Sequence, residues 1–261
     1  MAAEKYNVKW TREETILAFD LYCKTPFSKI SKSNPSIIEL AKILGRTPAS
    51  VGLKMANLAA CDPEVLNSNR HGMANGSKLD KEIFEEFVSD WETLSLEAQK
   101  IMAQYRGVTL SVLNPELEID ILPPGEYREQ QTKVRVGHYF FHDTLFSAYG
   151  SKCCITGMGE RKLLRASHIK PWSVSDAKTE RTNPKNGLLL NAFHDAAFDQ
   201  GLITVDKNYT IISSKRLKDA EMDKETREWI NSYSGKTIVL PDKFKPGKEF
   251  LEYHNDVIFL G

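Results

Sequence analysis

Three side chains in the second half of this 261-residue chain have the types and order that phosphodiester hydrolysis asks for: His168, Asn186 and His194. Residues 162–169, KLLRASHI, have the apolar, β-favouring character of a strand, and Pro171 ends it. GLLL at 187–190 reads as a short buried strand, and Asn191 is placed to cap a helix that runs to about Gln200, where Gly201 can terminate it. His194 then falls in the first turn of that helix, where the positive end of the helix dipole disfavours a protonated imidazole. A neutral imidazole is the form that binds a metal. One imidazole on a hairpin and another on the helix that follows is a compact way to hold a divalent cation beside an activated water.

The elements around these residues read simply. Residues 171–186 are polar and rich in Pro and Asn, which makes them a loop between the two strands. Taken one at a time, a histidine in a strand or at a helix start is most simply a hydrogen-bonded structural residue. The pattern around His168 and His194 argues otherwise, whereas His71, His138, His142 and His254 have no such context and are read as structural. His138 and His142, four apart, could share a helical face, with no third ligand evident.

Residues 154–157, 167–172 and 186–202 together resemble the HNH, or ββα-metal, endonucleases, in particular the branch of predicted bacterial restriction enzymes. Upstream, VRVGHYFFHDTLFSAYG at 134–150 resembles the strand and helix that lead into that module. The resemblance implies that His168 is the general base that deprotonates water. It implies that Asn186 braces the hairpin loop and that His194 is a ligand to a single Mg²⁺, with Mn²⁺ or another divalent ion as alternatives. Arg165 and Lys170 flank the base and are placed to contact phosphates. Many enzymes of this family carry an Asp or His just before the base as a second metal ligand, and this chain has Ser167 there. Asp195 and Asp199 lie about 100° and 140° around the helix from His194, so Asp199 is read as structural.

The four cysteines, at 23, 61, 153 and 154, form no CxxC pair, so no structural zinc is expected. With no signal peptide, no membrane-length apolar run and no disulfide pattern, the chain reads as soluble and cytoplasmic. Its formal charge is zero, but the charge is unevenly spread. Residues 1–60 hold nine Lys/Arg against five Asp/Glu, and 131–218 hold fourteen against seven. Between them 61–130 hold six against fourteen, and 219–261 close the chain with six against nine. Two basic regions flanking an acidic connector suit a protein that touches double-stranded DNA at both ends.

The first basic region has its own pattern. Thr11 can cap a helix and Glu14 can complete a capping box, with Ile16, Leu17, Phe19 and Tyr22 forming a core stripe. Residues 36–59 read as two helices joined at Gly45, the second started by Thr47 and Pro48. Ala41, Gly45 and Val51 then occupy the small, turn and packing positions of a helix-turn-helix or Myb-like unit, which this segment resembles. That reading points Ser50, Lys54 and Asn57 outward toward DNA and puts Arg46 near its backbone. A plain helical packing or dimerisation domain is the alternative.

Further on, Ile83, Phe84, Phe87 and Trp91 mark amphipathic helices, and 123–125 is the best linker. Residues 202–213 read as a hairpin turning at Lys207 and Asn208, with a helix from about 223 to 233, and the tail as a strand, a loop and a final helix. The expectation is therefore an α+β chain. A helical DNA-binding domain at 1–62 and a helical connector at 63–125 precede an HNH nuclease domain at 126–261. It would restrict foreign DNA with a divalent metal, as a possible homodimer, because one such site cuts one strand. Two alternatives stay open: a non-catalytic DNA-binding regulator with a degenerate HNH fold, and an HNH nuclease acting on modified-base DNA or on RNA.

Overall fold

The computed structural model describes residues 8–62, 65 and 76–261; His71 and the start of the connector lie outside them. The chain divides into two compact units, one ending at Thr144 and the other Leu145–Gly261.

The first unit is helical. Helix α1 (Arg12–Cys23) starts at Thr11, whose side chain accepts from the Glu14 amide while Glu14 reaches back to the Thr11 amide, so two otherwise unsatisfied N–H groups are closed. Asn34 caps α2 (Pro35–Leu44), which ends where Gly45 turns left-handed at φ +66°. Thr47 caps α3 (Pro48–Ala59), with Pro48 fixed for the first turn. Ser77 and Asp80 form a second capping box at α4 (Lys78–Phe87), followed by α5 (Trp91–Arg106) and the short α6 (Leu110–Leu113). The core is aromatic: Phe19 lies 5.4 Å from Phe84 and 5.9 Å from Trp91, whose ring stacks on Phe140 at 6.0 Å. α1 packs against α2, α3, α4 and α5, so the described part of the connector, 76–125, is built into this unit and does not stand apart from the N-terminal helices.

Electrostatics explains much of that packing. Arg12 makes a bidentate pair with Glu86 at 2.6 Å, and Arg106 pairs with Glu39. The outward placement expected for Lys54 is overturned. Its stem is buried and its ammonium pairs with Asp80 of α4, while Leu53 holds the exposed position at 46%. Arg46, expected near the DNA backbone, is also buried. Its guanidinium lies 2.5 Å from the fully buried Glu14 carboxylate, donates to the Val8 and Lys9 carbonyls and stacks over Trp10 at 4.3 Å. A buried cation must be paired, and these two neutralise buried carboxylates, so neither presents its charge to DNA. Ser50 and Asn57 are half-buried.

Residues 134–150 correct a second expectation. The strand anticipated ahead of the nuclease module is part of one helix, α7 (Glu126–Ala148), because the buried side chains Val136, Phe140, Phe141 and Leu145 follow a helical stripe. The division between the units falls within its last turns, well past the turn at 123–125.

The second unit is α+β. Strands β1 (Leu164–His168) and β2 (Gly187–Asn191) pair antiparallel with His168 opposite Gly187, and α8 (Ala192–Asp199) follows β2 without a loop. Leu188, Leu189 and Leu190 are fully buried, so β2 is the centre of this core. β3 (Ile203–Val205) and β4 (Ile211–Ser213) form the hairpin, then come α9 (Lys215–Lys218), α10 (Lys224–Asn231) and α11 (Lys248–Tyr253). The strand expected in the tail is reduced to a single bridge between Thr210 and Thr237. Gly201, left-handed at φ +66°, carries the closest approach in the unit: a Cβ there would sit 2.1 Å from the Ile258 carbonyl oxygen. The C-terminal segment also ties back through Leu260 N–H to the Gly201 carbonyl at 2.9 Å. Only glycine permits both the turn and that approach.

Candidate active site

The β1–β2 hairpin fixes one imidazole and α8 fixes the other. His168 ends β1, and its Nε2 lies 2.8 Å from the Arg181 carbonyl oxygen in the connecting loop. A carbonyl can only accept, so in the neutral ring Nε2 carries the proton and Nδ1 the lone pair. That is the tautomer of a base held by its far nitrogen. The Trp172 indole meets the His168 ring edge-on at 5.6 Å, and the Arg181 guanidinium covers Trp172 at 5.4 Å.

Asn186 is fully buried and does what a brace should do. Its Oδ1 accepts from the Lys170 amide at 2.8 Å, and its Nδ2 donates to the Lys170 and Glu180 carbonyls at 3.1 and 3.3 Å. One amide side chain thus ties both ends of the loop that supplies the Arg181 carbonyl. Asp176 and Ser175 close the loop further through the Lys178 and Thr179 amides and the Lys170 and Pro171 carbonyls. Lys170 is engaged with Glu180 at 2.5 Å, whereas Arg165 lies exposed on β1 and bonds only the Lys162 and Leu164 carbonyls.

His194 is set by Asn191 in two ways. The Asn191 Oδ1 accepts the His194 backbone N–H at 2.9 Å, which caps α8, and the same oxygen lies 3.1 Å from His194 Nδ1. The Asn191 amide nitrogen donates to Thr156 Oγ1 at 3.2 Å, which identifies Oδ1 as the acceptor. Nδ1 therefore donates, and Nε2 keeps the lone pair. Burial pushes the His194 pKa down to about 4, so the ring is neutral at physiological pH. Its surroundings are aromatic: Trp229 and Tyr233 at 5.3 Å and Phe193 at 5.4 Å leave 3% of the residue exposed.

Ser167, buried, immediately precedes His168, and its hydroxyl makes no hydrogen bond of ordinary geometry among the described residues. It interacts loosely with Asp199, whose carboxyl is held above its usual pKa by burial and by Asp195, with the Ser167 hydroxyl pulling the other way. Asp199 thus leans toward β1, although its angle on α8 set it apart from His194. Helical angle is the wrong measure here, because the neighbour that matters sits on the strand.

Residues 153–206 match the family model of the HNH endonucleases. No curated protein matches the chain. The HNH segment lies wholly in the second unit and contains both histidines, Asn186, the Arg181 carbonyl and the Thr156–Asn191 link. HNH enzymes act on DNA as nucleases and generally use a divalent metal. Among the described residues no three His, Cys, Asp or Glu side chains converge as a metal cage. In donor chemistry alone, the His194 Nε2 lone pair and the Ser167 hydroxyl beside the Asp199 carboxyl suit a hard cation completed by water and phosphate oxygens. Among the described residues no disulfide joins Cys23, Cys61, Cys153 or Cys154, and burial holds the Cys154 thiol well above its usual pKa. No helix among the described residues is long and apolar enough to cross a membrane.

Three contacts around the two histidines escaped the sequence reading in different ways. Asn191 was visible as a cap, and a cap three residues before a histidine is the spacing at which the two side chains meet, so its second role could have been read. The Arg181 carbonyl and the Trp229–Tyr233 wall carry no sequence signal. A carbonyl belongs to any residue type, and the wall comes from a helix some 35 residues downstream.

Proposed function

We propose that this protein is a metal-dependent HNH endonuclease that hydrolyses phosphodiester bonds in foreign, double-stranded DNA, as a restriction enzyme does. The observation that carries the reading is the His168–Arg181 hydrogen bond, which leaves Nδ1 as the basic nitrogen at the mouth of a hairpin braced by Asn186. His168 Nδ1 takes a proton from water, which attacks phosphorus in line with the departing 3′ oxygen. The Arg181 carbonyl steadies the imidazolium that results, and Asn186 keeps that carbonyl in place. His194, with Ser167 as an auxiliary oxygen, would hold one Mg²⁺ or Mn²⁺, which supplies charge stabilisation to the phosphoryl oxygens and the leaving group. Arg165, exposed beside the base, contacts a neighbouring phosphate, with Lys170 released from Glu180 to do the same. In the first unit, Ser50 and Asn57 remain the side chains offered to DNA. Cleavage of both strands requires two copies of the chain or two binding events.

The second reading, a DNA-binding regulator with a degenerate HNH site, draws on the enclosure of His194 and on Ser167 in place of a stronger ligand. Supercoiled plasmid, unmodified and cytosine-modified, incubated with Mg²⁺ or Mn²⁺ separates the two. Metal-dependent nicking or linearisation is expected; intact supercoiled DNA in every lane would leave only the regulator. Preference between the two plasmids decides whether base modification triggers or blocks cutting. Light scattering of the DNA-bound protein tests the dimer, and a monomeric mass counts against it.

A further inference from the structure

Phe193 and Trp229 stand against the His194 ring, yet 42% of Phe193 and 39% of Trp229 face solvent. Their rings are 4.9 Å apart and inclined at 67°, which makes an open aromatic corner. Each covers the His194 ring with part of its surface and leaves the rest open. Phe193 is on the outer side of α8, whose buried positions are His194, Ala197 and Phe198, and α10 is anchored by Ile230. Tyr233 extends the wall at 5.7 Å from Trp229, and the Lys236 ammonium lies 5.7 Å from the Tyr233 ring. An apolar corner edged by a cation and built on the helix that carries His194 has the composition of a nucleic-acid stacking platform.

We propose that Phe193 and Trp229 form a stacking subsite for an unpaired nucleobase of the strand being cut. This rests on the nuclease reading of the same site. A phosphate held at His194 brings its own nucleotide beside this corner, and every base offers a π-face, so the contact asks for no particular sequence. In regular duplex DNA that face is already stacked within the helix. The subsite therefore selects DNA with a flipped, bulged or single-stranded nucleotide next to the scissile phosphate, and Lys236 faces the adjoining backbone.

The test uses the full chain with His168→Ala and Mg²⁺, so that the probe survives. One duplex carries a single bulged 2-aminopurine, and its control is the same sequence fully paired. The bulged probe should bind about tenfold more tightly, with its fluorescence quenched on stacking. Phe193→Ala and Trp229→Ala should each erase most of the ratio between bulged and paired affinity, and Trp229→Phe should keep it. Phe193→Ala alone suffices if Trp229→Ala does not fold, because Phe193 is exposed. Equal affinity for the two probes, or a preference that survives the double alanine variant, overturns the subsite. So does self-association of the DNA-free protein that the alanine variants abolish, which would assign the corner to a second copy. The two readings fail separately: nicking of paired plasmid without bulge preference sinks only the subsite, and bulge preference without nicking sinks only the nuclease.

Discussion

The unit ending at Thr144 carries seventeen Lys/Arg against twenty Asp/Glu, while Leu145–Gly261 carries eighteen against fifteen. The difference in sign is small, but the use of the charges differs sharply. In the first unit Arg12, Arg46, Lys54 and Arg106 are spent on Glu86, Glu14, Asp80 and Glu39, so basic and acidic blocks of sequence close on each other. In the second, Arg165 and Lys236 remain exposed with their charge toward solvent, and the polar groups buried around the two histidines include the neutral Asn186, Asn191, Ser167 and His194. The first unit uses these cations to join helices; in the second, Lys170 is paired with Glu180 while Arg165 and Lys236 face solvent.

The largest test of that contrast is chemical. If the proposed role holds, His168→Ala should lower the cleavage rate by roughly 10²–10⁴-fold with no change in thermal unfolding, because the imidazole then serves as the base and is not a core element. Retained cleavage would move the chemistry off the hairpin. Next, Arg46→Met should destabilise the first unit by about 3–5 kcal/mol, since it strands the buried Glu14 carboxylate, whereas Arg46→Met with Glu14→Leu should recover most of the loss. Calorimetry that finds the single and double variants equal would show that the pair is not a closed one.

In the second unit the matching weak point is Gly201. Gly201→Ala forces a Cβ against the Ile258 carbonyl oxygen as well as a left-handed backbone, and should cost on the order of 3 kcal/mol, read as a lower urea midpoint. His254 adds a pH dependence to the same unit. It is buried, stacked on Phe198 at 3.7 Å, donates to the Phe198 carbonyl and accepts from Thr204, and burial lowers its pKa to about 4. The unfolded chain therefore binds a proton more readily than the folded one between about pH 6.5 and 4. Its contribution is complete above that window and falls as pH drops through it, by up to about 3 kcal/mol. His254→Phe should flatten the slope; an unchanged slope would assign it to other groups. The smallest effect is expected for Arg165→Ala, a reduction of the salt-dependence slope of DNA binding by about one. The same change from Lys54→Met would reverse the contrast between the units.

Much of the local structure was legible because it follows from short-range rules. Thr11 with Glu14, Gly45, Thr47 with Pro48 and Asn191 cap or end helices by contacts within four residues, and the sequence prints such contacts directly. His168, Asn186 and His194 were legible for a related reason, since hairpin and helix are adjacent in the chain. The placement of Lys54 and Arg46 was not, because their partners are 26 and 32 residues away and an amphipathic pattern does not say which cation has a carboxylate behind it. Residues 134–150 misled for another reason: alternating Val and aromatic residues satisfy both a strand and a helical stripe, and only the packed neighbours choose between them.

By itself, then, the sequence determined the caps, the hairpin with the helix that follows it, and the uneven charge, all of which depend on neighbours along the chain. Tertiary structure alone decided which charges are paired, that the Arg181 carbonyl meets His168, and that Trp229 and Phe193 make an open corner beside His194. Those depend on burial and on which distant segments meet, and the free energy of a buried charge or an exposed ring is set by what surrounds it in space.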